Sequence, residues 1–267
     1  MDGEPIVPYA IIVLGTAGSG KTTLTAALAD FLLDNELDVV TVNLDPAVET
    51  LPYKPDIDIR KYVNARELME NTGLGPNGAL IAAVDMLTLN IDSLKEELDS
   101  LKSNYIIIDT PGQMELFAFR ETGPLVIKAL VRDIKSVALF LIDIVQAVKP
   151  SSFFSTLLLA ASTQVRIALP QLNVLTKIDM VPEKVVEEIL SYHENPEILA
   201  TRVVEDKSAS LMWTEDDILT IVERLSTIDL IPVSSTKMIG LDNLYAYIQR
   251  VVAGGEDYYT EEPSPRL

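Results

Sequence analysis

The stretch that decides the fold is Gly15-Thr16-Ala17-Gly18-Ser19-Gly20-Lys21-Thr22, followed by Thr23. It fits G-x-x-x-x-G-K-[ST] at every fixed position. An apolar run, Tyr9 to Leu14, precedes it, and a stretch of helical period, Leu24 to Leu33, follows it. In this strand–loop–helix setting glycines let the backbone wrap so that N–H groups converge on phosphate oxygens, and the helix N-terminus adds partial positive charge. Lys21 then serves as a point charge for the β- and γ-phosphates, and the Thr22 hydroxyl ligates Mg²⁺. The segment from Gly15 to Thr23 is therefore expected to bind a nucleoside triphosphate.

Outward from this loop, short apolar runs alternate with helical patterns: Val39 to Asn43, Tyr105 to Ile108, Val137 to Ile142, Leu172 to Leu175 and Leu230 to Val233 read as strands. The alternation predicts an α/β fold, a P-loop NTPase with a mainly parallel central sheet flanked by helices. A helix over 91–101 is expected, with Ser93 and Glu96 as a capping box, and further helices from Pro150 and over Leu241 to Val252. Residues 51–90 are less regular, with short helical patches on either side of a loop, GLGPNG. Residues 183–229 hold twelve acids against four bases and read as all-helical. At over 40 residues they exceed a single crossover helix. The expected organisation is thus a core of 1–182 and 230–253, a helical insertion or lid over 183–229, and a flexible acidic tail over 254–267.

Composition narrows the function. The 267 residues contain 40 acids and 21 bases, a net charge of −19, with no cysteine and one histidine, His193. Thiol chemistry, Cys-ligated zinc, iron–sulfur clusters and His-rich metal sites are excluded. The acidic balance argues against direct nucleic-acid or anionic-membrane binding. No secretory signal or run of ~20 apolar residues is visible, so a soluble, cytoplasmic protein is expected.

Three further motifs fall at strand ends. Asp109-Thr110-Pro111-Gly112-Gln113 follows an apolar strand. There Asp109 can hold Mg²⁺ through water, Gly112 can offer its N–H to the γ-phosphate, and Gln113 and Glu115 are candidates for orienting water. Asp45, in Asn43-Leu44-Asp45-Pro46, lies at the carboxyl edge of the sheet, where ligands bind in open α/β folds. It is a candidate for a metal-bound or attacking water. Thr176-Lys177-Ile178-Asp179 follows another strand. A carboxylate at Asp179 accepts from guanine N1–H and its exocyclic amine together but faces an acceptor in adenine, so it argues for GTP. Lys177 would lay its stem along the base. Guanine sites usually show Asn-Lys-x-Asp, and Thr176 replaces the amide. Ser234 and Ser235 are suited to backbone contact with the base oxygen. Arg60, Arg66 and Arg120 lie near the motifs, and each reads as a surface or interface ion pair rather than an arginine finger.

With NLDPA, DTPGQME and TKID in order, the tripeptide Gly75-Pro76-Asn77 makes the chain resemble the GPN-loop GTPases, of a prokaryotic or archaeal type, over nearly its whole length. The resemblance implies a homodimer in which each GPN loop reaches the partner's active site and Asn77 contacts the γ-phosphate or leaving phosphate in trans. It also implies that Asp45 and Gln113 arrange the attacking water, with Glu115 a further candidate, and that Thr22, Asp45 and Asp109 surround Mg²⁺. Many relatives in the wider nucleotide-dimerised class carry a second lysine early in the P-loop. Thr16-Ala17-Gly18 has none, which fits a family whose GPN loop supplies the contact in trans. The family's eukaryotic members are associated with RNA polymerase assembly, so a protein partner of that kind is expected. The alternatives are a nucleotide-binding assembly module with little turnover and an ATPase of the same fold.

Overall fold

The structure, a computed structural model, describes residues 8–206, 213–225 and 229–253. Its elements run β1 (Tyr9–Gly15), α1 (Lys21–Asp34), β2 (Val39–Asn43), β3 (Ile57–Asp58), α2 (Ala65–Thr72), α3 (Pro76–Leu87), α4 (Ile91–Ser100) and β4 (Tyr105–Asp109). They continue α5 (Met114–Phe117), α6 (Thr122–Leu130), β5 (Lys135–Asp143), α7 (Ile144–Ala147), α8 (Pro150–Ile167) and β6 (Gln171–Thr176). Last come α9 (Glu183–Glu194), α10 (Pro196–Glu205), α11 (Glu215–Leu225), β7 (Leu230–Val233) and α12 (Leu241–Val252). The tail over 254–267 lies outside the described residues.

The seven strands form one sheet in the order β3-β2-β4-β1-β5-β6-β7, and every pairing is parallel. Parallel strands need crossovers, and helices on both faces explain why these strands are apolar almost throughout. Alternation along each strand sorts its side chains into two layers. Ala10, Ile12, Leu14, Ile106, Ile108, Ala138, Phe140 and Ile142 face the layer containing α3–α6 and α8–α11. Ile11, Val13, Ile107, Val137, Leu139 and Leu141 face α1 and α12 through Leu24, Leu28, Leu32, Leu241, Leu244 and Ile248.

Register sets the site. Val13 and Asn43 both pair with Asp109, Gly15 pairs with Leu141, Asp143 with Thr176, and Thr176 with Val233. The carboxyl ends of β2, β4, β1, β5, β6 and β7 therefore share one edge. The chain winds to one side of β1 and then to the other, so the polar loops converge at the reversal of strand order.

Two local expectations are corrected. Helix α4 begins at Ile91 with Asn90 as N-cap, so Ser93 sits inside the helix and no capping box forms. In GLGPNG, Gly75 is the N-cap of α3 and Pro76 its first residue, so Asn77 and Gly78 belong to the first helical turn. Proline's fixed φ and missing donor suit that position. The short β3 was not anticipated.

Within 183–229 the described residues form α9, α10 and α11. Their buried side chains Val186, Ile189, Tyr192, Leu199, Val203, Ile218 and Val222 belong to the same hydrophobic cluster as the sheet face below. Residues 207–212 and 226–228 of this segment lie outside the described residues. Asp206, after α10, accepts from Ser151 Oγ at 2.5 Å and pairs with Lys149 at 3.0 Å, tying α10 to the start of α8.

Phe140 is fully buried in the central strand. Phe140→Ala is expected to cost about 3–5 kcal/mol through lost transfer and cavity terms, read as a lower denaturant midpoint with unchanged slope.

Candidate functional site

Helix α1 begins without a side-chain cap and without an acid in its first turn; Gly20, its N-cap, has φ 97°. Its first N–H groups are thus left for an anion. Gly15 also needs its missing side chain. At φ 146°, a Cβ there would lie 2.7 Å from Ser19 Oγ and 2.9 Å from the Leu141 carbonyl. The Ser19 hydroxyl is buried and has no hydrogen-bond partner.

Lys21 is buried, and its Nζ donates to the carbonyls of Gly15 at 2.8 Å, Thr16 at 3.0 Å and Gly112 at 3.3 Å. Burial lowers its pKa, against the opposing pull of Asp109, Asp45 and Glu115. Its ammonium thus bridges the phosphate loop to the DTPG turn. Thr110 fixes that turn from the other side, donating to the Val13 carbonyl at 2.7 Å.

Asp109 ends β4 almost fully buried, and burial pushes its pKa up to about 6 despite the Thr22 and Tyr53 hydroxyls and the Lys21 charge. Oδ2 accepts from Tyr53 Oη at 3.1 Å, while Oδ1 has no partner. An orphaned, buried carboxylate oxygen beside a threonine hydroxyl fits a hard cation that takes oxygen ligands. Among the described residues no group of three or more His, Cys, Asp or Glu is arranged to hold a metal by itself. The cation that fits is therefore one completing its shell with water and phosphate, as Mg²⁺ does.

Asp45 follows β2 and spans to the turn after β4. Its Oδ2 accepts from Gly112 N at 3.0 Å and its Oδ1 from Ala47 N at 2.9 Å. The N–H expected to face a γ-phosphate is thus held by Asp45. Asn43 braces this corner through the Asp45 N–H and carbonyl and through Asp58. Arg60 pairs with Asp58 at 2.6 Å and donates to the carbonyls of Val48 and Glu49, so it clamps the loop after Asp45. Arg66 pairs with Glu49 and Glu70, and Arg120 with Asp85.

Gln113 and Glu115 are exposed at the start of α5. Gln113 lines a groove of ≈ 690 Å³ together with Ala47, Val48, Arg60 and Pro76. Of the exposed tripeptide Gly75-Pro76-Asn77, Pro76 lines that groove, and the Asn77 side chain next to it has no hydrogen bond to the described residues.

At the other end of the edge, a pocket of ≈ 300 Å³ is lined by Gly20, Thr23, Thr176, Lys177, Asp179, Ser235 and Thr236. Thr176 donates to the Ser19 carbonyl at 2.8 Å, so its hydroxyl braces the phosphate loop. Lys177 reaches the Gly18 carbonyl at 2.6 Å and pairs with Asp143 at 2.7 Å. Asp179 Oδ1 accepts from Ser234 Oγ at 2.6 Å and Oδ2 from Thr236 Oγ1 at 3.3 Å, and the Ser234 bond leads in holding its pKa below the usual range. The buried Ser234 hydroxyl thus orients Asp179, and the Ser234 N–H donates to the Ile239 carbonyl at 3.0 Å. Thr236 and Tyr53 carry no motif signal and were missed.

A profile of the family described as "conserved hypothetical ATP binding protein" matches residues 13–254. The chain is 33% identical over 254 residues to GPN-loop GTPase 1 of Dictyostelium discoideum, covering 94% of this chain and 63% of that protein. It is 30% identical to GPN-loop GTPase 3 of Kluyveromyces lactis, covering 96% of each. Among solved structures it is similar to a GTPase in apo form from Pyrococcus abyssi, with a TM-score of 0.80, 30% identity, and coverage of 91% and 97% of the two chains. No helix among the described residues is long and apolar enough to cross a membrane.

The raised pKa of Asp109 carries a sign. Between its ordinary value of 3.8 and about 6 the native chain binds a proton more tightly than the unfolded one. Stability without nucleotide or metal therefore falls as pH rises through that window. Asp109→Asn removes the buried charge and is expected to raise the melting temperature in EDTA at pH 7.5, with the gain shrinking toward pH 5.

Proposed function

The chain belongs to the GPN-loop GTPase family, and from that premise we propose that it hydrolyses GTP to GDP and phosphate as a homodimer, each GPN loop acting on the partner's nucleotide. The observation that carries this reading is Asn77, exposed and without a side-chain hydrogen bond among the described residues, next to Pro76, which lines one groove with Gln113. An amide with no partner among the described residues would be available to a phosphate held by a second copy of the chain.

Lys21 and the first N–H groups of α1 bind the β- and γ-phosphates, and Asp179, steadied by Ser234 and Thr236, accepts from the guanine edge. Thr22, Asp109 and Asp45 would hold Mg²⁺, some of them through water, and the ion when bound would supply neutralisation of phosphate charge. Asp45 and Gln113, with Glu115 a further candidate, orient a water in line with the γ-phosphorus. As its oxygen bonds to phosphorus, the bond to the bridging oxygen breaks and GDP leaves. Asn77 of the facing protomer stabilises charge on the transferred group. The Gly112 N–H, held by Asp45, passes to the γ-phosphate when GTP binds, and the altered shape is read by a protein partner, of RNA-polymerase-related kind by family resemblance. Work in the cytoplasm is consistent with this role.

Steady-state phosphate release from GTP and ATP across protein concentrations tests the reading. GTP should be preferred, and specific activity should rise with concentration. Asn77→Ala should lower kcat by about 10²-fold, the scale for losing one transition-state donor, with GDP affinity unchanged. Equal use of ATP would overturn the role of Asp179; activity independent of concentration would overturn completion in trans. Tight GTP binding without turnover would mark a nucleotide-holding assembly module instead.

A further inference from the structure

Asp109 is contacted by a residue that no motif contains. Tyr53 lies midway along the loop between β2 and β3, and its hydroxyl donates to Asp109 Oδ2 at 3.1 Å. This leaves Oδ1, buried and unpartnered, as the oxygen available to a cation or to water bound by one. We propose that Tyr53 is a positioning residue for Mg²⁺: its hydroxyl fixes the rotation of the Asp109 carboxylate so that one oxygen is committed to the protein and the other to the metal shell. The inference rests on the Mg²⁺–nucleotide reading above and deepens it.

Three observations support the assignment. First, the loop that delivers Tyr53 is braced on both sides of it. Asp45 binds Gly112 N and Ala47 N before it. After it, Asp56 Oδ2 accepts from Thr41 N at 2.8 Å and Thr41 Oγ1 at 3.1 Å. Arg60 holds the intervening chain by the carbonyls of Val48 and Glu49. The phenol is therefore placed by β2 and β3. Second, the donor is neutral. A lysine or arginine at this spot would orient the carboxylate equally well but would repel a divalent cation only a few ångströms away. A hydroxyl gives direction without opposing charge. Third, metal-ligating carboxylates are oriented by outer hydrogen bonds, whose removal typically costs 10–100-fold in metal affinity or activity. The Tyr53 hydroxyl supplies such a bond to Asp109 in addition to the phosphate loop's own hydroxyl donor, Thr22, which the reading above assigns to the metal.

The test follows fluorescently labelled GDP on the full chain, titrated with Mg²⁺, and needs no turnover. In Tyr53→Phe the Mg²⁺ concentration giving half the slowing of nucleotide release should rise about 10-fold, the low end of the outer-bond range. Affinity in EDTA should stay as in the parent chain. In an Asp109→Asn background, Tyr53→Phe should add nothing. An unchanged Mg²⁺ requirement overturns the proposal. So does an equal loss of affinity with and without Mg²⁺, which marks the ring as scaffolding, and so does a further loss in the Asp109→Asn background. If the parent chain shows no Mg²⁺ response at all, the metal reading itself fails, and the parent titration distinguishes that outcome from failure of Tyr53 alone.

Discussion

Two charges of opposite sign, Lys21 and Asp109, are buried near one another at the carboxyl edge of the sheet, and the rest of the site is arranged around them. Burial disfavours both charged forms, lowering the lysine pKa and raising that of the carboxylate. Their mutual attraction offsets only part of that cost, since removing two ions from water is expensive even when they are paired. The lysine falls back on three carbonyls, and one oxygen of the carboxylate has nothing. Polyanionic phosphate and a divalent cation are the chemical opposites of these two groups. Binding them supplies what the fold leaves unpaired, and it stabilises the native chain by mass action.

The same corner explains how ligand chemistry can reach the rest of the molecule. Asp45 links the end of β2 to the turn after β4 through Gly112. Past that turn, Arg120 and Thr122 both bond Asp85 on α3, the helix that opens with the GPN tripeptide. A displacement of the turn is therefore mechanically connected to the GPN helix by charge-assisted bonds and packing. On the opposite side, Thr176 and Lys177 bond the carbonyls of Ser19 and Gly18, so the base pocket and the phosphate loop are built as one unit. Threonine in place of the usual asparagine keeps this bracing, because a hydroxyl donates to a carbonyl as an amide does.

Helices α9–α11 carry their acids outward while their apolar faces join the core that covers the sheet. Their charge reads from sequence as a separate surface; their packing belongs to the central cluster. Both follow from amphipathicity, in which one face is buried against α8 and the other is solvated.

Sequence alone determined six of the seven strands, the helix-flanked parallel sheet and the phosphate loop, because these rest on local signals: apolar runs, helical period, and glycines at fixed spacing. β2, β7 and α12 begin and end where the pattern places them. The strand-end positions of Asp45, Asp109 and Asp179 follow from the same local reading. What each carboxylate touches did not. Gly112 meets Asp45 from 67 residues away, Tyr53 meets Asp109 from 56, and Thr236 meets Asp179 from 57. Such contacts leave no periodicity or spacing to read. They exist because parallel register brings the ends of β2, β4, β6 and β7 to one edge, where short polar side chains must find partners or remain unpaired away from water. Which oxygen of Asp109 is bonded and which is free was therefore decided by the tertiary structure.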